Sequence, residues 1–132
     1  MKKIPPSDDG VQKLRAHLRA TLKNQAIAFA GMKLAIGSSG SIRALSRIHH
    51  AEFGGIRAFS RENLRELVVR MSSMDREELA ALPALEPRRV DLILSAGVVL
   101  EEILDFYSIP KVKTTSLSLK DGLLSEISAE LR

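Results

Sequence analysis

Ile36-Gly37-Ser38-Ser39-Gly40-Ser41-Ile42-Arg43 is the stretch at which the chain changes its hydrophobic period. Just before it, Met32-Lys33-Leu34-Ala35-Ile36 is short and largely apolar and stops at Gly37, the pattern of a buried strand. Just after it, Ile42, Leu45 and Ile48 fall on one face of a helix over 41–48. His49-His50 are expected to end that helix, and Gly54-Gly55 mark the next turn. A strand passing through small residues straight into a helix leaves unpaired backbone N–H groups at the helix N-terminus, where the macrodipole favours negative charge. Three hydroxyls lie beside them, and the glycines let an anion approach the backbone. Gly37, Ser38, Ser39, Gly40 and Ser41 are therefore the candidate anion-binding residues. An ordinary strand–turn–helix connection with a serine cap fits the same pattern, and spacing alone does not choose. The stretch is neither a Walker loop, since no Gly-Lys-Ser/Thr ends it, nor a G-x-G-x-x-G fingerprint. Glycines at −2 and +1 of Ser39 do not make a nucleophile elbow.

Working outward, Val11, Leu14, His17 or Leu18, Thr21 and Leu22 recur at helical spacing, predicting an amphipathic helix from the Ser7-Asp8-Asp9 cap to about Lys23. Lys2–Pro6, with two adjacent prolines, reads as a linker, so that residues 1–6 precede a single domain occupying the rest of 1–132. Ile56–Phe59 is extended, and Ser60 caps a helix to about Met71. Asp75-Arg76-Glu77-Glu78 has capping-box spacing, and Pro87 suits a helix's first turn. Arg88–Tyr107 carries the strongest helical signal, apolar nearly all round in its first half and so buried. Gly97 inside it costs ~1 kcal/mol relative to Ala, which close backbone packing would justify. Lys111–Thr115 is a further strand, and Ser118 opens a last helix through Leu131. Strands separated by helices predict an α/β fold with a small, mostly parallel sheet and several packed helices.

Composition narrows the function classes. With 45% hydrophobic and 27% charged residues, the 132-residue chain is an ordinary soluble domain. Aromatics at 4% and no Trp mean an aliphatic core, and they remove the stacking platforms a nucleic-acid binder needs. The absence of Cys excludes disulfides and thiolate metal sites. Met1-Lys2-Lys3 leads into prolines rather than an apolar stretch, and the apolar run near Leu92–Leu100 is far below the ~20 residues of a bilayer span, so a cytoplasmic protein without membrane contact is expected. The net charge of +4 owes much to Lys2, Lys3, Lys13, Arg15, Arg19 and Lys23, expected to form a solvated helix face.

The remaining candidates are weaker. His17, His49 and His50 have no carboxylate or thiol at ligand spacing, so no metal site is expected. Arg88-Arg89 could hold phosphate or pair with Asp91. Glu101-Glu102 are expected on the exposed side of their helix.

In this order the segments resemble a known family. Gly37-Ser38-Ser39-Gly40-Ser41-Ile42-Arg43-Ala44-Leu45 resembles the strand–G-x-S-G-T–helix segment of the Ppx/GppA exopolyphosphatases and guanosine pentaphosphate phosphohydrolases. Pro83-Ala84-Leu85-Glu86-Pro87-Arg88-Arg89-Val90-Asp91-Leu92-Ile93 resembles their Arg-Ala-Asp-x-Ile entry to a long buried helix. Val112–Leu124, with Ser116 and Leu119-Lys120-Asp121-Gly122-Leu123-Leu124, is similar to their closing strand and Leu-Arg-Glu-Gly-Leu turn, and Lys2–Pro6 to the stretch before the region. Ser41 stands for the family's Thr, Lys120-Asp121 for Arg-Glu, and Ala96 for a Gly, with Gly97 following.

The resemblance implies the C-terminal half of a two-lobed catalytic domain of the actin-like, ribonuclease H-like class, binding phosphates between its lobes. It further implies hydrolysis of the terminal phosphate of polyphosphate or pppGpp, with Mg²⁺ in the complete enzyme and no cofactor of this chain's own. The catalytic Glu and the first phosphate loops belong to the portion N-terminal to this sequence, and neither Asp-x-Gly-Ser-Asn-Ser nor Gly-Gly-Gly-Ser occurs here. No catalytic residue is therefore assigned to this chain, which is expected to be inactive alone and to partner that missing lobe. Gly37, Ser38, Ser39, Gly40 and Ser41 would line the phosphate cleft, with Arg43 and Arg89 as auxiliaries. The competing expectation is a structural α/β module that self-associates, as a homodimer through an unpaired sheet edge.

Overall fold

Residues 8–25, 31–53, 58–82 and 85–115 are described by the computed structural model. The predicted linker at 2–6, the helix from Ser118 and the 119–124 turn lie outside them. In chain order the elements are α1 (Asp8–Gln25), β1 (Ala35–Gly37), α2 (Gly40–Phe53), β2 (Ala58–Ser60), α3 (Arg61–Ser72), α4 (Arg76–Ala80), a 3₁₀ turn (Pro87–Arg89), α5 (Ile93–Tyr107) and β3 (Lys111–Thr114).

The three strands form one sheet in the order β1-β3-β2. β1 and β3, separated in sequence by helices, pair in parallel, with Ala35 opposite Val112 and Gly37 opposite Thr114. β2 runs antiparallel to β3, with Phe59 opposite Val112. The sheet is thus mixed: one pairing follows the strand–helix alternation, but a three-residue strand between helices carries no direction signal of its own.

α5 is the central element, and α1, α2 and α3 all pack on it. Leu45, Ile48, Leu64, Leu67, Met71, Leu94, Val98 and Leu104 are fully buried around it, and Phe59 and Val112 extend this aliphatic core to the sheet. Gly97 sits where α5 meets its neighbours: a Cβ there would lie 3.0 Å from Val68 Cγ2 and 3.4 Å from Met71 Cε, so the glycine lets the helices close. Entry to α5 differs from the single helix from Arg88. Pro87 opens a 3₁₀ turn, and regular α-helix begins only at Ile93.

Local capping sets the helix starts. Ser60 Oγ accepts from Asn63 N at 3.0 Å, and Asn63 Oδ1 accepts from Ser60 N, a capping box at the start of α3. Asp75 and Glu78 form the reciprocal box opening α4. Because α3 carries Leu64, Leu67, Val68 and Met71 into the core, Ser60→Ala is expected to lower unfolding free energy by about 1 kcal/mol. A urea titration of the two proteins checks this, and an unchanged midpoint would show that the cap contributes nothing.

α2 does not stop at His49-His50 but continues to Phe53. His49 turns inward, its ring 5.6 Å from that of Phe59, and burial lowers its pKa. A histidine that packs as an aromatic need not end a helix. His50 remains in the last turn, where a basic residue suits the macrodipole.

The largest departure from the sequence reading is at Glu101 and Glu102, which are 4% and 3% exposed rather than solvated. Arg15 of α1 reaches both, at 3.0 Å to Glu101 and 2.8 Å to Glu102, and Arg19 reaches Glu102 at 2.7 Å. From α3, Arg65 joins Glu101 and Asp105. The basic face expected to be solvated therefore contributes Arg15, only 14% exposed, to an ion-pair network that fastens α1 to α5. No helix among the described residues is long and apolar enough to cross a membrane.

Candidate anion-binding site

β1 delivers the chain to Gly37, which is buried, while Ser38 and Ser39 are exposed. Gly37 cannot carry a side chain here, because a Cβ would come within 2.5 Å of Ile42 Cγ2. Ser39 caps α2: its Oγ accepts from Ile42 N at 3.1 Å, and its carbonyl accepts the first helical bond from Arg43 N at 3.0 Å. The amides of Gly40 and Ser41 precede that first bond and have no acceptor within the helix. They point out of the N-terminus of a 14-residue helix, where the partial positive charge concentrates.

The other side of the loop is tied down. Thr115 N donates to Gly37 O at 3.0 Å, and Arg43 Nη1 donates to Ser38 O at 2.6 Å and to Thr115 O at 3.4 Å. Arg43 thus spends a guanidinium nitrogen on the carbonyls of two strand ends. It braces the loop.

Arg89 comes from the 3₁₀ turn and lays its guanidinium against Gly40. A methyl group at Gly40 would collide with Nη2 and lie 2.6 Å from Cζ and 2.8 Å from Nη1. Absence of a side chain at this position is what admits the arginine. Arg89 Nε is buried and has no hydrogen-bond partner among the described residues; the Glu86 carboxylate is 3.8 Å away. A planar cation and two free amides converge on one helix end, a donor set suited to a tetrahedral oxyanion.

Glu86 escaped the sequence reading. Its carboxylate accepts from Arg88 Nε at 2.8 Å. The Arg88 hydrogen bond and charge, then the charges of Arg89 and Arg47, hold its pKa below the ordinary carboxylate value. The Glu86-Pro87-Arg88-Arg89 tetrapeptide was the available signal, since a turn brings i and i+3 together. Asp91, the alternative partner for Arg88-Arg89, pairs instead with Arg76 at 2.9 Å. His17 and His50 are exposed, and His49 lies in the core beside Phe59. No group of three or more His, Asp or Glu side chains converges among the described residues.

The sequence profile of the Ppx/GppA phosphatase family matches residues 1–130. The chain belongs to the Ppx/GppA phosphatase family. Its fold is that of solved Ppx/GppA proteins at low sequence identity. The Aquifex aeolicus Ppx/GppA family member superposes with a TM-score of 0.80 at 17% identity, covering 100% of this chain and 45% of its own. An exopolyphosphatase from Cytophaga hutchinsonii gives 0.75 at 21% identity, with 95% and 43% coverage. An exopolyphosphatase-like protein gives 0.80 at 15% identity, with 99% and 46% coverage. This Ppx/GppA chain therefore spans less than half the length of the solved structures it matches. A search of curated proteins gave no match.

Proposed function

We propose that this chain forms the phosphate-binding wall of a phosphohydrolase that removes the terminal phosphate of polyphosphate or pppGpp, acting in the cytoplasm. The observation that carries the proposal is the pairing of the free Gly40 and Ser41 amides with the Arg89 guanidinium at the start of α2, in a chain of this family. In this role the amides and Arg89 hold phosphate oxygens, and the hydroxyls of Ser38, Ser39 and Ser41 supply neutral donors. Arg43 keeps the loop carbonyls turned away from the anion. As the phosphate bridge breaks, charge accumulates on its oxygens, and fixed dipoles and a fixed cation stabilise it without reorganising.

The carboxylate that orients the attacking water is assigned to a second lobe across the cleft. A divalent cation such as Mg²⁺ would supply charge neutralisation in phosphoryl transfer when bound. Ile36, 67% exposed on β1, favours a second reading in which this strand is a self-association surface.

One labelled sample separates these readings. On adding inorganic pyrophosphate to the isotope-labelled chain, the amide resonances of Gly40 and Ser41 should shift most, and the chain alone with polyphosphate and Mg²⁺ should release no phosphate. Shifts confined to β1 that track protein concentration would replace the phosphate reading with self-association. Sustained phosphate release would show that the second lobe is unnecessary.

A further inference from the structure

A carboxylate beside Arg89, Glu86, opposes the chemistry of the candidate site. Glu86 lies among Arg88, at 2.8 Å, Arg89, at 3.8 Å, and the charge of Arg47. Arg88 and Arg47 are exposed, and Arg89 is the guanidinium resting on Gly40. A cluster of three guanidinium groups with one carboxylate keeps a net positive charge and attracts a further anion. That anion and Glu86 would then contend for the same N–H donors. The Glu86 side chain makes no cap bond to its own turn, whereas its backbone carbonyl accepts from Arg89 N at 2.9 Å. The turn is therefore held by the main chain, and the carboxylate is free to swing away without undoing it.

Resting on the reading of Gly40 and Ser41 as a phosphate cradle, we infer that Glu86 is a built-in competitor for that site: its carboxylate and an incoming phosphate contend for Arg88 and Arg89. An entering anion must displace the Glu86 carboxylate to gain those donors. Glu86 thereby lowers the affinity of the site for the anions that enter it, a restraint on occupancy rather than a part of the reacting machinery.

The test is titration of the whole chain with inorganic pyrophosphate, followed at the Gly40 and Ser41 amides. Glu86→Gln keeps the shape and the backbone bond and should tighten binding roughly five-fold, the effect of removing one nearby charge in a largely aqueous setting. Glu77→Gln, an exposed carboxylate on α4, makes the same change in net charge and should leave affinity within about two-fold, because salt screens an exposed charge that makes no ion pair with Arg88 or Arg89. If Glu86→Gln binds pyrophosphate no more tightly than the parent while the parent's amides still shift, the competitor role is wrong and the cradle stands. Equal tightening by both variants would reduce the effect to bulk charge and also overturn the inference. No shift at Gly40 and Ser41 in either protein would remove the cradle, and the competitor with it.

Discussion

Glu102→Ala is expected to cost about 3 kcal/mol of unfolding free energy, because it strands a largely buried arginine. Arg15 is 14% exposed and donates to Glu102 at 2.8 Å and to Glu101 at 3.0 Å. Removing one acceptor leaves Arg15 with Glu101 alone and one largely buried N–H without its carboxylate. Arg19, 65% exposed, simply returns to solvent and adds little. If the cost arises from a stranded cation, the double variant Arg15→Met, Glu102→Leu should recover most of it, since a well-packed apolar pair substitutes for a buried ion pair. Urea denaturation of the parent, single and double variants reads this directly, and a double variant as unstable as the single would locate the loss in packing instead.

The same network fixes an acid limit. Burial pushes the Glu102 carboxyl up, but hydrogen bonds from Arg19 and Arg15, with their charges, outweigh it and hold the pKa below 4.5, the ordinary value. For a depressed carboxylate, the stabilisation is complete above the unfolded-state value and is lost as pH falls through the folded one. Stability should thus be insensitive to this group at neutral pH and should drop in the acid range below that ordinary value. The drop should be shallower in the double variant, in which the carboxylate is absent.

How far the sequence carried the fold depends on which forces decided each element. Ser60 and Asp75 were legible as caps because a cap bond reaches only three residues along the chain. Gly97 was legible as a packing site because a glycine inside a strong helix needs a reason. Glu101 and Glu102 were not, because their burial is set by Arg15 and Arg19, more than eighty residues earlier, as the separations of 86, 87 and 83 residues show. Helical periodicity records which face is apolar, whereas a charged face buried by opposite charge looks identical to a solvated one. His49 misled for the same reason: its identity suggests polarity, and its partner Phe59 sits on another element.

The candidate site divides in the same way. The Gly37–Ser41 loop stood out in the sequence because strand, small residues and helix follow one another without a gap. Arg89 was named only as an auxiliary, since its approach to Gly40 is a contact across 49 residues that no local pattern encodes. Arg43 was named beside it, yet geometry gives the two arginines opposite tasks. One turns inward to two carbonyls, and the other lies over the helix end.

Gly40→Ala should separate those tasks, weakening pyrophosphate binding about ten- to hundred-fold, the equivalent of one or two hydrogen bonds to a charged group. The added methyl occupies the space held by Arg89 Nη2 and Cζ. The colliding atoms are the far end of a flexible side chain, so the guanidinium swings away rather than the backbone moving. Alanine is also the better helix former by up to ~1 kcal/mol, which offsets the lost contact. Folding stability should therefore stay within about 1 kcal/mol of the parent while the anion loses its cation. Pyrophosphate titration at the Ser41 amide, paired with a urea melt, measures both quantities on one preparation. Arg89→Ala should match the binding loss, and adding it to Gly40→Ala should deepen that loss by little, because the second change removes a group the first has already displaced. Full affinity in Gly40→Ala would mean that the amides act without Arg89, and the arginine would then be a packing residue of the α5 entry turn.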